Sequence, residues 1–174
     1  MTLSLQTHQL HQSAPDPWSE SQPAVEAPAW NALPFSFHWL STCAAFADSG
    51  GMVSGDDLAQ RLVDSALRAG GADGLQATSL VARWIVSRSV VTVMGPHGWM
   101  LPMFQFDQAT ATPKPSMAPV LAVLRGVFAD AELALWFVSS NDWLKGDRPA
   151  MVMHKNLPGV LHAARADRFL ARGH

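Results

Sequence analysis

Residues 116–138 read SMAPVLAVLRGVFADAELALWFV, and this stretch decides the fold. Val120, Leu121, Leu124, Val127 and Phe128 recur at helical spacing, which predicts an amphipathic helix from about Ser116. From about Asp130 to Val138 the chain is apolar on nearly every face through Leu133, Leu135, Trp136 and Phe137. A helix of that kind belongs at the buried centre of a small bundle. Burying one side chain of this size contributes roughly 1.5–3 kcal/mol. The expected fold is therefore mainly α: a small helical bundle.

Upstream, the Pro- and Thr-rich connector 109–115 separates this bundle from a segment with a different period. Val90, Val91, Thr92 and Val93 are β-formers, Gly95-Pro96-His97-Gly98 is turn chemistry, and Trp99 to Phe106 can return as an antiparallel strand. One short β-hairpin is expected there, with Phe104 and Phe106 packed inward and Gln105 facing out by strand alternation. Before it, Leu80, Val81, Trp84 and Ile85 mark a helix starting at Thr78 or Ser79, with Arg83 and Arg88 toward solvent. An earlier helix begins at a Ser54 cap, with Asp56 and Asp57 in its first turn, and closes at Gly70-Gly71. The first core helix runs from Phe35 to Asp48 and stops at Gly50-Gly51. From Met1 to Leu33 there is no sustained periodicity, and Pro15, Pro17, Pro23 and Pro28 disfavour helix, so a flexible, disordered N-terminal tail is expected. Trp18 and Trp30 are unusual in a linker and suit docking on the body or on a partner. The domain reading is a tail over 1–33, a helical region with the hairpin over 34–108, and a second helical domain over 116–174.

Downstream of Val138 the loop from Ser139 to Arg148 is too polar and too rich in turn residues to continue the helix. Trp143 and Leu144 can anchor it, Pro149 opens a short helix, and Asn156 caps a last one with an apolar stripe of Leu157, Val160, Leu161 and Ala164. Arg165, Arg168 and Arg172 fall on one neighbouring face.

The whole chain has 174 residues, 48% of them apolar and 15% charged, enough for one packed domain with an extension. A net charge of -2 argues against a protein that coats nucleic acid electrostatically. Charge is nonetheless uneven. The first 33 residues hold Asp16, Glu20 and Glu26 with no Lys or Arg, whereas Lys145, Arg148, Lys155, Arg165, Arg168 and Arg172 crowd the C-terminal end, a patch suited to an acidic partner. The lone Cys43 sits in an apolar run and suits a reducing, cytoplasmic setting. No basic leader or membrane-length apolar segment is visible, so neither secretion nor membrane insertion is expected.

From Trp84 onward the motifs fall in an order that resembles a known family. Pro102-Met103-Phe104-Gln105-Phe106-Asp107 is similar to the P-x-F-Q-F element that precedes the toxin-binding domain of Xre/MbcA/ParS-type bacterial antitoxins. The segment from Leu135-Trp136-Phe137 through Asn141-Asp142-Trp143-Leu144-Lys145-Gly146 to Pro149 is similar to that domain's Trp-bearing helix, Asn-containing turn, Leu-x-Gly step and helix-opening Pro. The resemblance covers roughly the second half of the chain. It implies an antitoxin that binds a protein toxin, of the RES type that consumes NAD, and inhibits it by occlusion with the terminal helix and chain end. Carried onto this chain, the implied partner-binding residues are Trp143, Lys145, Arg148, Arg165, Arg168, Arg172 and His174. A homodimer and operator DNA are further partners known in that family.

Catalysis has little support in the residues. His8 and His11 have an H-x-x-H spacing but no further ligand at metal spacing, and no phosphate loop, dinucleotide fingerprint or nucleophile elbow occurs. No catalytic residue, metal or cofactor is expected. The alternative is a DNA-binding regulator, with the helices around residues 56–67 and 78–88 as a degenerate helix-turn-helix, the hairpin as its wing, and Arg83 and Arg88 on phosphate. The connector 69–77 is longer than the tight turn of that motif.

Overall fold

The computed structural model describes residues 33–70 and 76–173. Residues 1–32 of the expected tail, with His8 and His11, and His174 lie outside the described residues, and Leu33 opens α1. The order of elements is α1 (Leu33–Ala47), β1 (Met52–Ser54), α2 (Gly55–Arg68), α3 (Ala77–Val86), β2 (Val93–Gly95), β3 (Gly98–Pro102), α4 (Met117–Leu124), α5 (Asp130–Val138), α6 (Pro149–Val152) and α7 (Leu157–Arg172). Short 3₁₀ turns occupy Met103–Gln105 and Asp142–Leu144. The mainly helical expectation holds. No helix among the described residues is long and apolar enough to cross a membrane.

The hairpin is present, but it is shorter than its sequence suggests and it gains a third strand. The antiparallel sheet has the order β1-β3-β2, with Val53 opposite Leu101 and Met94 opposite Trp99. β1 has only three residues between a glycine pair and a helix cap, too short for any alternation to announce it. Its neighbours follow the sequence rules. Gly50 and Gly51 take φ of 100° and 72°, the left-handed stop for α1, and the Ser54 hydroxyl accepts from Asp57 N at 3.0 Å to cap α2.

The sheet separates two cores. Val53 and Leu101 project with Leu58, Leu62, Val81 and Phe106 into one core, beneath α2 and α3. Val93 projects into the other, with α1 and the C-terminal helices contributing Phe46, Leu124, Leu133, Phe137 and Val160. Aromatic rings run through this second core, Phe46 stacking on Phe104 at 6.4 Å and Phe104 meeting Phe137 at 5.0 Å. α1 reaches it because Gly95 leaves room for the Trp39 ring. A Cβ on Gly95 would lie 2.9 Å from that ring and 2.8 Å from Met100 Cγ.

Three expectations need correction here. Val90–Thr92 precede β2 and pair with no strand, and Met103–Gln105 form a 3₁₀ turn where the strand was expected to continue. That turn breaks the two-residue alternation: Phe104 enters one core and Phe106 the other, and Gln105, expected to face out, is fully buried between them. Its side chain takes the place of the missing strand partner. Oε1 accepts from Val91 N at 2.8 Å, and Nε2 donates to Val91 O at 2.9 Å and Pro102 O at 3.1 Å. The third correction concerns α4, which ends at Leu124. Gly126 at φ 103° turns the chain, so Val127 and Phe128 sit outside the helix, Phe128 packing on the core from a turn.

Gln105→Leu is expected to destabilise the protein by about 2–4 kcal/mol, because it strands the Val91 N–H and C=O in a dry site while changing volume little. Urea denaturation with an unchanged slope checks this. A second expectation concerns Asp107, whose carboxylate accepts from Ala109 N at 2.9 Å and Thr110 N at 3.0 Å. These backbone bonds hold its pKa below the usual carboxylate value. The folded pKa is depressed, so its contribution is present above the unfolded value and lost as pH falls through the folded one. The gap in urea midpoint between wild type and Asp107→Ala should narrow as pH drops below about 4.

Candidate docking surface on the last helix

α7 begins where the sequence places it. Asn156 Oδ1 accepts from Gly159 N at 3.0 Å, and Pro158 sits in the first turn, where a missing N–H costs nothing. Val160, Ala163 and Ala164 are fully buried. The two alanines let α7 lie close against α4. The opposite face carries His162, Arg165, Phe169 and Arg172, spaced 3, 4 and 3 residues apart, so they form one stripe.

Asp167 fastens the preceding loop to this helix. Its Oδ2 accepts from Trp136 Nε1 at 2.7 Å and Asn141 Nδ2 at 2.8 Å, and its Oδ1 accepts from Trp143 Nε1 at 3.0 Å. Asn141 in turn accepts from Trp143 N at 3.0 Å through its side chain and from Gly146 N at 2.9 Å through its backbone. Lys145 takes φ 60° and Gly146 φ 90°, which closes the loop on itself. One carboxylate thus joins α5, the loop and α7 through neutral N–H donors, with no ion pair needed.

Trp143 is held by this network and is still 51% exposed. Its ring meets His162 edge-on at 5.8 Å, which extends the stripe at its N-terminal end. At the other end Arg165, Arg168, Phe169 and Arg172 line an open depression of about 290 Å³. Phe169 is 79% exposed and Leu170 55% exposed, so two large apolar side chains face solvent among three guanidinium groups. Arg168 is partly buried and donates to Val123 O at 3.2 Å, in the last turn of α4, where a cation opposes the helix dipole.

Of the residues implied by the resemblance, the structure brings together Trp143, Arg165, Arg168 and Arg172. Arg148 is drawn off into a 2.9 Å ion pair with Asp48, and Lys145 stands exposed on the loop. His162, Phe169 and Asp167 belong to the site and were not singled out from sequence. The 165/169/172 spacing carries a signal for Phe169. No local pattern points to Asp167, whose partners are 24 to 31 residues away.

The two arginines of the alternative reading separate. Arg83 is exposed beside a groove of about 540 Å³ between α2 and α3, whereas Arg88 is bound to Asp130 at 2.7 Å. Among the described residues no group of three or more His, Cys, Asp or Glu could hold a metal ion. Comparison of the chain with protein-family models, with curated proteins and with solved structures found no match.

Asp167→Ala is expected to cost about 2–4 kcal/mol, since it leaves the part-buried Trp136 and Asn141 N–H donors without their acceptor and frees the exposed Trp143 indole. Trp143 should become mobile, read as a red-shifted tryptophan emission and weaker near-UV circular dichroism. Unchanged spectra and urea midpoint would contradict the anchoring role.

Proposed function

We propose that this chain is an antitoxin-like interaction protein that occludes a protein toxin, of the NAD-consuming RES type, through the outer face of α7 and the Trp143 loop. The exposed Trp143–His162–Arg165–Phe169–Arg172 stripe carries this reading. Trp and Arg are the side chains most enriched at binding hot spots, and Phe169 adds an apolar anchor between two cations. Asp167 pre-orders the Trp143 end before any partner arrives, which lowers the entropy lost on association. The stripe lies on a rigid helix packed against α4, so a partner meets a fixed template. The motif order of the second half supplies the toxin class, and the geometry supports the docking face.

The element order favours a second reading. A helix, a short strand, two helices and a hairpin, with the first strand pairing to the last, is the order of a winged helix-turn-helix unit. In that reading α3 enters the major groove and the β2-β3 turn lies beside it. Its exposed positions Thr78, Ser79, Ala82, Arg83 and Val86 include one cation, so the affinity for duplex should be weak and steeply salt-dependent.

The test of the first reading is coexpression with the product of the adjacent reading frame. A stable complex is expected, with the partner's NAD consumption suppressed. Arg165→Glu combined with Phe169→Asp should weaken it by about 30-fold or more, the scale of one hot spot, while leaving the urea midpoint unchanged. An adjacent product that consumes no NAD, or a complex indifferent to these substitutions, overturns the proposal. For the second reading, a gel shift on the protein's own promoter that Arg83→Ala abolishes is the supporting result, and no shift at micromolar protein removes it.

A further inference from the structure

The cationic stripe on α7 has no acidic partner within the described residues. The two ion pairs there use Arg88 and Arg148, and Asp167, the one carboxylate set among Arg165, Arg168 and Arg172, is committed to three neutral donors. The chain's own first third carries the opposite composition: Asp16, Glu20 and Glu26 without a Lys or Arg. Within it, Asp16-Pro17-Trp18-Ser19-Glu20 sets two carboxylates on either side of one large aromatic. The stripe sets Arg165 and Arg172 on either side of Phe169, about 10 Å apart at the helical rise. Charge and apolar content match in kind and in order.

Thirteen residues from Glu20 to Leu33 span up to about 45 Å when extended. A domain of this size has a radius of gyration of about 14 Å, so the tail can sweep a large part of the surface around Leu33. Because the tail is tethered, docking is intramolecular and occurs at an effective concentration near the millimolar range, so even a weak contact is populated. Such a contact depends on a few exposed charges and weakens as salt rises.

We propose that Asp16–Glu20 is the intramolecular occupant of the α7 stripe, Trp18 covering Phe169 while the two carboxylates face Arg165 and Arg172. This rests on the stripe being a docking surface, as proposed above, and adds the segment that covers it when no partner is bound. A partner then binds by displacing the tail, and removing the tail's charges tightens that binding.

The experiment uses the full chain with Cys43→Ser and a nitroxide label on Ser19→Cys, its fold checked against the wild-type amide spectrum. Among the amides of residues 33–173, paramagnetic broadening strongest on residues 162–173 and falling off away from them is expected at low salt, and this maximum should vanish in Arg165→Glu/Arg172→Glu. As a second measurement without the cysteine exchange, Asp16→Asn/Trp18→Ala/Glu20→Gln should shift the α7 amides of the otherwise native chain and few others. Broadening that is absent, spread evenly, or centred on the α2-α3 groove overturns the inference, as does a triple variant whose α7 shifts match wild type. No partner is present in these measurements. If they fail while the Phe169 substitution still weakens the toxin complex, the tail inference falls and the docking surface stands.

Discussion

A buried primary amide offers one good acceptor and two donors, and Gln105 spends all three on backbone groups that no strand satisfies. It sits where the sheet hands over to the C-terminal helices, and its own carbonyl accepts from Lys114 N at 2.8 Å, which steers the chain toward α4. Lys114 closes the same knot by donating its ammonium to Phe104 O at 2.8 Å. Because Met103 and Phe106 belong to one core and Phe104 to the other, the residues flanking this amide join the two halves. An apolar residue at this position could fill the space but could not pair Val91, and an unpaired buried peptide group is among the costlier defects a fold can carry.

The two halves are joined elsewhere by side chains reaching to main chain or to one opposite charge. Arg125 donates to Val90 O at 3.1 Å, and Arg88 meets Asp130 at 2.7 Å. These contacts consume cations that a nucleic-acid surface would need, and they leave the C-terminal arginines as the concentrated positive charge on the described surface. On α7 the roles of one helix are divided by face. Small alanines turn toward α4, Asp167 gathers the loop, and the outer row keeps aromatic and guanidinium groups in water. With Phe169 at the surface, roughly 1.5–3 kcal/mol of burial is left for a contact that covers it.

Much of the local structure was legible along the chain. Ser54 and Asn156 act as caps, and Gly50-Gly51 and Pro149 stop and start helices where their backbone preferences require. α5 is central only on one face, burying Leu133, Ala134, Phe137 and Val138, while Leu135, expected inside, is exposed and Trp136 is half-buried. The arginine row of α7 was legible too, because helical spacing is a local property. Its clustering with Phe169 follows from the same spacing, once the helix is known to turn that face outward.

Local pattern and propensity thus determined that this chain is helical, where most helices begin and end, and that its C-terminal end is basic and aromatic. Tertiary structure decided the rest: that β1 joins the sheet, that Gln105 points inward, that Asp167 collects two indoles and an amide, and that Arg148 and Arg88 are spent on Asp48 and Asp130. The reason is physical. Caps and periodicity depend on neighbours within a turn or two, whereas the fate of a polar side chain depends on which distant groups the packed backbone leaves unpaired beside it.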